Sequence, residues 1–127
     1  MTHAAPLTVF FLWLDERARD VRRMEEQALR ELERKNIQSY RDGMRCKAEL
    51  LAGLPAASDP LLRGLPEDAT RAIREGLRRF ANSADNALSL DSVFYMSALL
   101  YPEDYREGEA NDLELFAEEL RARFPQG

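Results

Sequence analysis

Histidine and cysteine, the side chains that most often carry catalysis, occur once each, as His3 and Cys46. Nucleophilic catalysis by serine or cysteine needs a positioned imidazole, and His3 lies close to the first residue, where chains commonly fray. A single thiol cannot form an intramolecular disulfide or a zinc site built on thiolates. Cys46 falls one position away from an apolar stripe, which predicts a half-buried, inert thiol. These two residues give no candidate for nucleophilic or zinc-dependent catalysis.

Acidic side chains are abundant and can bind Mg²⁺ when several of them share one helix face. The Glu-x-x-Glu and Glu-x-x-Asp motifs that hold metal in helical nucleotide pyrophosphohydrolases do not occur within the predicted helices. Arginine also follows many of the acids three or four residues later, as in Glu26 and Arg30, which is the spacing of helix ion pairs. We therefore expect a solvated charged surface and no catalytic, metal-binding or cofactor-binding residues. The clusters considered are Glu25/Glu26, Glu31/Glu33 and Asp112/Glu114/Glu118/Glu119.

A local basic stripe is predicted on one flank of a helix, where Arg71, Arg74 and Arg78 follow one another at helical spacing. It is a candidate site for an anion or an acidic partner, and with Arg79 it offers a route to nucleic acid. The alternative is that these arginines pair with acids of neighbouring helices. The whole chain has a net charge of −5, and phosphate binding needs a basic field, so nucleic acid is a disfavoured partner.

Three of the four tyrosines, Tyr95, Tyr101 and Tyr105, fall within eleven residues and border an acidic turn. Tyrosine is enriched where a side chain has one apolar and one wet end, as at interfaces. These residues are a candidate groove for a ligand or a basic partner segment. The alternative is an ordinary core helix followed by a turn that Pro102 imposes.

The apolar run VFFLWL, residues 9–14, covers more than one helical turn and therefore points in every direction around a helix. Leu14 continues into the apolar stripe of the following helix, whereas Phe11 and Trp13 point away from it. Either other helices of the chain bury them, or they form a surface for a partner or a second copy of the chain. The run is far below the ~20 residues that span a bilayer, and we expect no membrane span.

Apolar residues recur at three- and four-residue intervals in every long segment, and no segment alternates as a strand does. This pattern predicts an all-α fold, a small helical bundle of four to five helices with an N-terminal long helix or helical hairpin. The stripe shifts by one position near residues 34–38, so we favour the hairpin. Later helices are expected after Pro66, after Ser89 or Asp91, and after Asn111, whose spacing from Glu114 is that of a capping box.

Residues 1–127 are expected to form a single helical domain. Within it, residues 1–7 are predicted to be an N-terminal tail, with Thr8 capping the first helix. Residues 53–65, rich in proline and glycine, are predicted to link an N-terminal hairpin to the C-terminal helices.

The sequence favours a non-enzymatic protein–protein interaction module, an adaptor, regulator or chaperone-like protein that self-associates. Residues 101–127 carry eight acids and three arginines, so the net negative charge of the chain lies in this segment. One alternative is a small-ligand-binding protein or a carboxylate-metal-dependent enzyme that uses this acidic C-terminal region. Another is a regulator that binds nucleic acid through Arg71–Arg79. A single cysteine and an arginine-rich basic complement suggest a reducing cytoplasm and a bacterial source.

Overall fold

The computed structural model describes residues 5–125, and helix dominates this part of the chain. No strand occurs among the described residues, which confirms the predicted all-α helical bundle. Within the same range, no helix is both long enough and apolar enough to cross a membrane. The helices are α1 (Pro6–Glu33), α2 (Ile37–Ala52), α3 (Leu54–Ser58), α4 (Glu67–Ser89), α5 (Val93–Ala98) and α6 (Asp112–Arg123).

The four longer helices pack in a closed ring, because α1 and α4 each contact both α2 and α6. The short helices lie outside this ring: α3 packs on α4, and α5 packs on α2 and α4. Helix α6 runs antiparallel to α1, since Arg121 reaches Asp15 whereas Glu114 reaches Arg22 further along α1. One continuous apolar core fills the ring, and its largest members include Phe10, Leu14, Val21, Leu51, Ile73, Leu77, Leu113 and Leu120.

Helices α1 and α2 form a hairpin, the alternative that the shifted stripe favours. The turn is made by Lys35, whose backbone is left-handed with a φ of 65°. Asn36 then caps α2, because its side-chain oxygen accepts a hydrogen bond from the Ser39 backbone N–H at 3.3 Å.

Helix α1 begins earlier than the sequence pattern predicts. Ala5 occupies the cap position and Pro6 follows as the first helical residue, where the missing N–H of proline costs nothing. Thr8 therefore lies inside the helix and does not cap it. The predicted tail of residues 1–7 is too long at its C-terminal end, and residues 1–4, with His3, lie outside the described residues.

The predicted linker of residues 53–65 is structured, since it contains α3 and a short 3-10 turn at Asp59–Leu61. Leu54 and Leu62 are buried in the main core, so this segment forms part of the bundle wall.

Two helix starts in the C-terminal half are capped by side chains. Ser92, and not Ser89 or Asp91, caps α5, because its hydroxyl accepts a hydrogen bond from the backbone of α5. The capping box predicted at α6 is confirmed: the Glu114 N–H donates to Asn111 Oδ1 at 3.0 Å, and the Asn111 N–H donates to Glu114 Oε1 at 2.8 Å.

Helices α4 and α6 approach closely at Gly76, which is buried. A Cβ atom built on Gly76 would lie 2.2 Å from two ring atoms of Phe116. The Phe116 ring itself packs edge-on against Phe80, with the ring centroids 5.5 Å apart. Only glycine therefore fits at this crossing.

Replacing Gly76 with alanine is expected to lower the free energy of unfolding by about 1–3 kcal/mol, because overpacking at Phe116 outweighs the better helix propensity of alanine. Chemical denaturation of Gly76→Ala beside Ser83→Ala, an exposed change in the same helix, measures this effect. The cost should be smaller in a Phe116→Leu background. An alanine variant as stable as the wild type would show that the two helices are less closely packed.

Candidate functional site

A buried lysine organises one side of the bundle. Lys47 of α2 is fully buried, at 0% exposure. Its ammonium nitrogen lies 2.9 Å from Glu25 Oε2 of α1 and donates to the Ser97 carbonyl oxygen of α5 at 3.0 Å. The same nitrogen lies 5.0 Å from the ring centroid of Tyr101. An ammonium group has three protons to donate, and these three neighbours provide two oxygen acceptors and an aromatic face.

Glu25 joins this lysine to the segment that follows α5. The Tyr101 hydroxyl donates a hydrogen bond of 2.5 Å to Glu25 Oε1, while the other carboxylate oxygen faces Lys47. Both oxygens of the carboxylate are therefore engaged inside the fold. Buried charged groups are tolerated when they are paired and hydrogen-bonded in this way.

Arg22 extends the network to α6. Its guanidinium forms a two-pronged ion pair with Glu114, with contacts of 2.6 and 3.2 Å, and donates to the Glu109 carbonyl oxygen at 3.1 Å. Arg22 also lies over the Tyr101 ring, 5.9 Å from its centroid. We call Arg22, Glu25, Lys47, Tyr101 and Glu114 the buried charge network after its buried centre, Glu25 and Lys47; the other three residues are half-buried.

The pKa shifts in this network follow from burial and pairing. Burial lowers the pKa of the Lys47 ammonium below its ordinary 10.5, and Glu25 opposes that effect. Burial, followed by the hydrogen bond to Glu25, raises the pKa of Tyr101 above 10.0. Burial pushes the pKa of Glu114 upward, but hydrogen bonds from Arg22 and the Asn111 backbone outweigh it, so the net shift lies below 4.5. The hydrogen bond to Glu114 raises the pKa of Arg22.

An apolar groove of about 580 Å³ lies on one side of Tyr101, between α4 and α5. At its wall, Leu100 adopts a left-handed backbone with a φ of 78°, which is rare for a bulky side chain and is often found at binding sites. Asp112 provides a carboxylate at the groove, and burial, followed by the nearby Asp104, raises its pKa above 3.8. The apolar lining includes Leu51, Phe80, Ala87, Leu99, Leu100 and Pro102.

A second cleft, of about 390 Å³, lies on the other side of Tyr101, against the α1–α2 hairpin. We call it the tyrosine cleft, because Tyr40, Tyr101 and Tyr105 line it. Tyr101 and Tyr105 meet edge to face, with ring centroids 4.7 Å apart. The remaining lining combines the apolar Leu29 and Met44 with the charged Arg22, Glu25, Glu26 and Glu107 and with Ser97.

The three tyrosines predicted to share one groove are therefore divided between two. Tyr95 and Tyr101 line the apolar groove, whereas Tyr101 and Tyr105 line the tyrosine cleft. The tyrosines are divided because the hydrogen bond to Glu25 holds Tyr101 between the apolar groove and the tyrosine cleft.

The structure places Phe11 in the core, at 1% exposure, so other helices of the chain bury it and Phe11 does not form the candidate partner surface. Helix α6 covers it, and the guanidinium of Arg121 lies 4.9 Å from its ring centroid. Trp13 is half-buried beside Phe10, so part of its surface stays exposed.

The predicted arginine stripe is divided between two faces of α4. Arg71 lies with Arg79 at a cleft toward α6, whereas Arg74 and Arg78 lie at a cleft toward α3. Arg71 pairs with Glu67 at 3.3 Å, and Arg74 approaches Asp59 at 3.8 Å. Arg71, Arg74 and Arg78 therefore do not line one common cleft in which a single anion could contact all three.

Cys46 is exposed, which corrects the prediction of a half-buried thiol. The next residue of α2, Lys47, points into the bundle, and Cys46 lies on the solvent side of the helix. No group of three or more metal-binding side chains comes together among residues 5–125.

Sequence reasoning missed the buried charge network, although a signal for it exists. Lys47 follows Met44 by three residues and precedes Leu51 by four, so it lies on the apolar stripe of α2. Glu25 lies on the stripe of α1, four residues after Val21. Opposite charges on the facing stripes of a predicted hairpin indicate a buried ion pair.

Comparison of the chain with known protein families, curated proteins and solved structures found no match.

Replacing Lys47 with methionine should cost about 3–5 kcal/mol of unfolding free energy, because it leaves the Glu25 carboxylate buried without a cation. The double variant Glu25→Gln/Lys47→Met should recover part of this loss. The matched control is Lys35→Met, since Lys35 is exposed in the hairpin turn. Denaturation curves of these variants test the idea, which fails if Lys47→Met costs no more than the control.

The Glu114 ion pair predicts a pH dependence of stability. Because the folded pKa of Glu114 lies below 4.5, its contribution is complete above pH 4.5 and is lost as the pH falls through the folded value. The stability difference between wild type and Glu114→Gln should therefore shrink in acid.

Asp112→Asn is the control, because its effect on the free energy of unfolding should have the opposite sign to that of Glu114→Gln. The folded pKa of Asp112 lies above 3.8, so the variant should be the more stable form at neutral pH, and the difference should vanish below pH 3.8. Unfolding measured across this range would contradict the assignment if both variants shifted stability in the same direction.

Proposed function

We propose that this chain is a non-enzymatic protein-interaction module that binds an apolar segment of a partner protein in the groove between α4 and α5. One observation carries the proposal. Three large apolar side chains beside the groove are exposed: Leu90 at 66%, Phe94 at 72% and Tyr95 at 53%. A contiguous exposed apolar patch of this kind usually marks an interaction surface.

A protein segment explains this surface better than a small molecule does. Leu90 and Tyr95 line the groove, but Phe94 lies outside it and packs edge-on against Tyr95 at 5.6 Å between ring centroids. The apolar surface therefore extends past the cavity, as the anchor pockets of protein interfaces do.

Arg79 also lines the groove, but two carboxylates near it would accept a basic residue of a partner segment. Asp112 and Asp104 repel one another, and neither carboxylate has an ion-pair partner within residues 5–125. A lysine or arginine of the partner would relieve this repulsion. The net charge of −5 carried by residues 101–127 would also speed the approach of such a partner.

Self-association through Trp13 stays a prediction. A cytoplasmic location fits the exposed free thiol of Cys46, because a reducing compartment preserves such a thiol.

A small-ligand binding protein is the second candidate, and the groove itself supports it. Its volume of about 580 Å³ falls within the range of about 300–1,000 Å³ that holds small molecules, and Asp112 supplies one carboxylate with a raised pKa.

The nucleic-acid alternative depends on Arg71–Arg79, and DNA or RNA binding that weakens steeply with salt would support it.

Crosslinking from the patch tests the proposal. A photoreactive phenylalanine analogue at position 94 should capture a defined protein in the cells that express this chain, and Leu90→Ser should reduce the captured amount by at least about fivefold, since anchors commonly contribute over 1 kcal/mol. The matched control carries the analogue at position 12, since Leu12 is also exposed. Equal capture of the same proteins from both positions, or capture indifferent to Leu90→Ser, would contradict the proposal.

A further inference from the structure

The tyrosine cleft on the hairpin side of Tyr101 combines three aromatic rings with two unpaired carboxylates. Glu26 of α1 and Glu107 of the segment before α6 both line it. Neither carboxylate forms an ion pair or a side-chain hydrogen bond in the part of the chain that the structure describes. The exposed acids therefore leave two negative charges at the cleft without a cation.

The other charged groups at the cleft are already neutralised. Glu25 is engaged by Lys47 and Tyr101, and Arg22 by Glu114. The two cations and two carboxylates of the buried charge network neutralise one another. The net charge that a ligand in the cleft would contact therefore comes from Glu26 and Glu107.

The rest of the lining suits an aliphatic chain that ends in a cation. Leu29 and Met44 provide apolar contact, and tyrosine faces attract ammonium groups. Acids and aromatic rings around an apolar slot favour a long-stemmed cation over a metal ion, which would need several converging oxygen ligands.

We propose that the tyrosine cleft, lined by Tyr40, Tyr105, Glu26 and Glu107, binds a lysine side chain of a partner polypeptide. A polypeptide is favoured over a free amine by the surface that leads away from the cleft. Leu29 is exposed at the cleft, and Leu32, one turn further along α1, is exposed as well. An apolar residue next to the bound lysine would cover this surface. The site is separate from the α4–α5 groove and does not depend on the function proposed for it.

The test uses the full chain and three probes. The first is the blocked tripeptide acetyl-Leu-Lys-Leu-amide, the second replaces its lysine with norleucine, and the third is butylammonium. Binding is followed by NMR through the ring resonances of Tyr40 and Tyr105, at low salt because exposed charges are screened at high ionic strength. The lysine peptide should shift these resonances saturably, with a dissociation constant on the order of millimolar. The norleucine peptide should bind at least about fivefold more weakly, the factor that a modest cation–π and ion-pair contribution gives.

Variants locate the effect. Glu26→Gln/Glu107→Gln should weaken the lysine peptide by about fivefold or more without changing binding of the norleucine peptide. The control Glu33→Gln/Glu49→Gln removes the same charge from exposed positions elsewhere on α1 and α2 and should leave binding nearly unchanged. Leu90→Ser should also leave it unchanged, so failure of this site and failure of the groove can be told apart.

Three results would overturn the proposal. Equal binding of the lysine and norleucine peptides would show an apolar contact without cation recognition. Butylammonium binding as tightly as the lysine peptide would assign the cleft to a free amine. Ring resonances that do not move at tens of millimolar peptide, far above the expected dissociation constant, would show that the cleft binds neither.

Discussion

The buried ammonium of Lys47 is the constraint on which this side of the molecule depends. A charge removed from water is costly unless it is paired and hydrogen-bonded, and the groups around Lys47, two oxygen acceptors and one aromatic ring, come from three different segments. Glu25 lies on α1, the Ser97 carbonyl on α5, and Tyr101 in the segment that follows. The lysine therefore connects the short helix α5 and the chain after it to the hairpin.

The position of Tyr101 follows from this constraint and determines the shape of both candidate sites. Its hydroxyl is fixed by Glu25, so its ring stands as a wall between the apolar groove and the tyrosine cleft. Arg22 and Glu114 anchor the start of α6 in the same region. The acids between Tyr101 and α6 are thus presented outward, next to aromatic and apolar surface. Burial and the nearby Asp104 raise the pKa of Asp112, so the charge of this carboxylate does not add to the stability of the fold.

Helical spacing was sufficient to predict the helices and most of the core, because a helix in a small bundle must bury one apolar stripe. Leu14, Val21, Ile73 and Leu77 are buried as that spacing requires. Helical spacing could not show which other helix of the chain covers each apolar surface. Phe11 points away from the stripe of α1, yet α6 covers it, and only the tertiary arrangement determines that.

The candidate sites were less predictable for a related reason. The nearness of the three tyrosines in sequence suggested one groove, but a hydrogen bond to a residue 76 positions away divides them. Phe80 follows Leu77 of the apolar stripe of α4 by three residues, yet it is only half-buried, since it lines the groove. Lys47 and Glu25 were assigned to no site because charge suggests solvent, although their positions on apolar stripes indicate the opposite.

The measurement that tests this account most directly is NMR of the Lys47 side-chain nitrogen across a pH titration. The account predicts a protonated ammonium at neutral pH whose protons exchange slowly with water and show a nuclear Overhauser effect to the Tyr101 ring, with a pKa below 10.5. An ammonium that exchanges rapidly, lacks contact with Tyr101 and titrates at the ordinary lysine pKa would contradict it, because the side chain would then lie in solvent and could not hold Tyr101 between the two clefts.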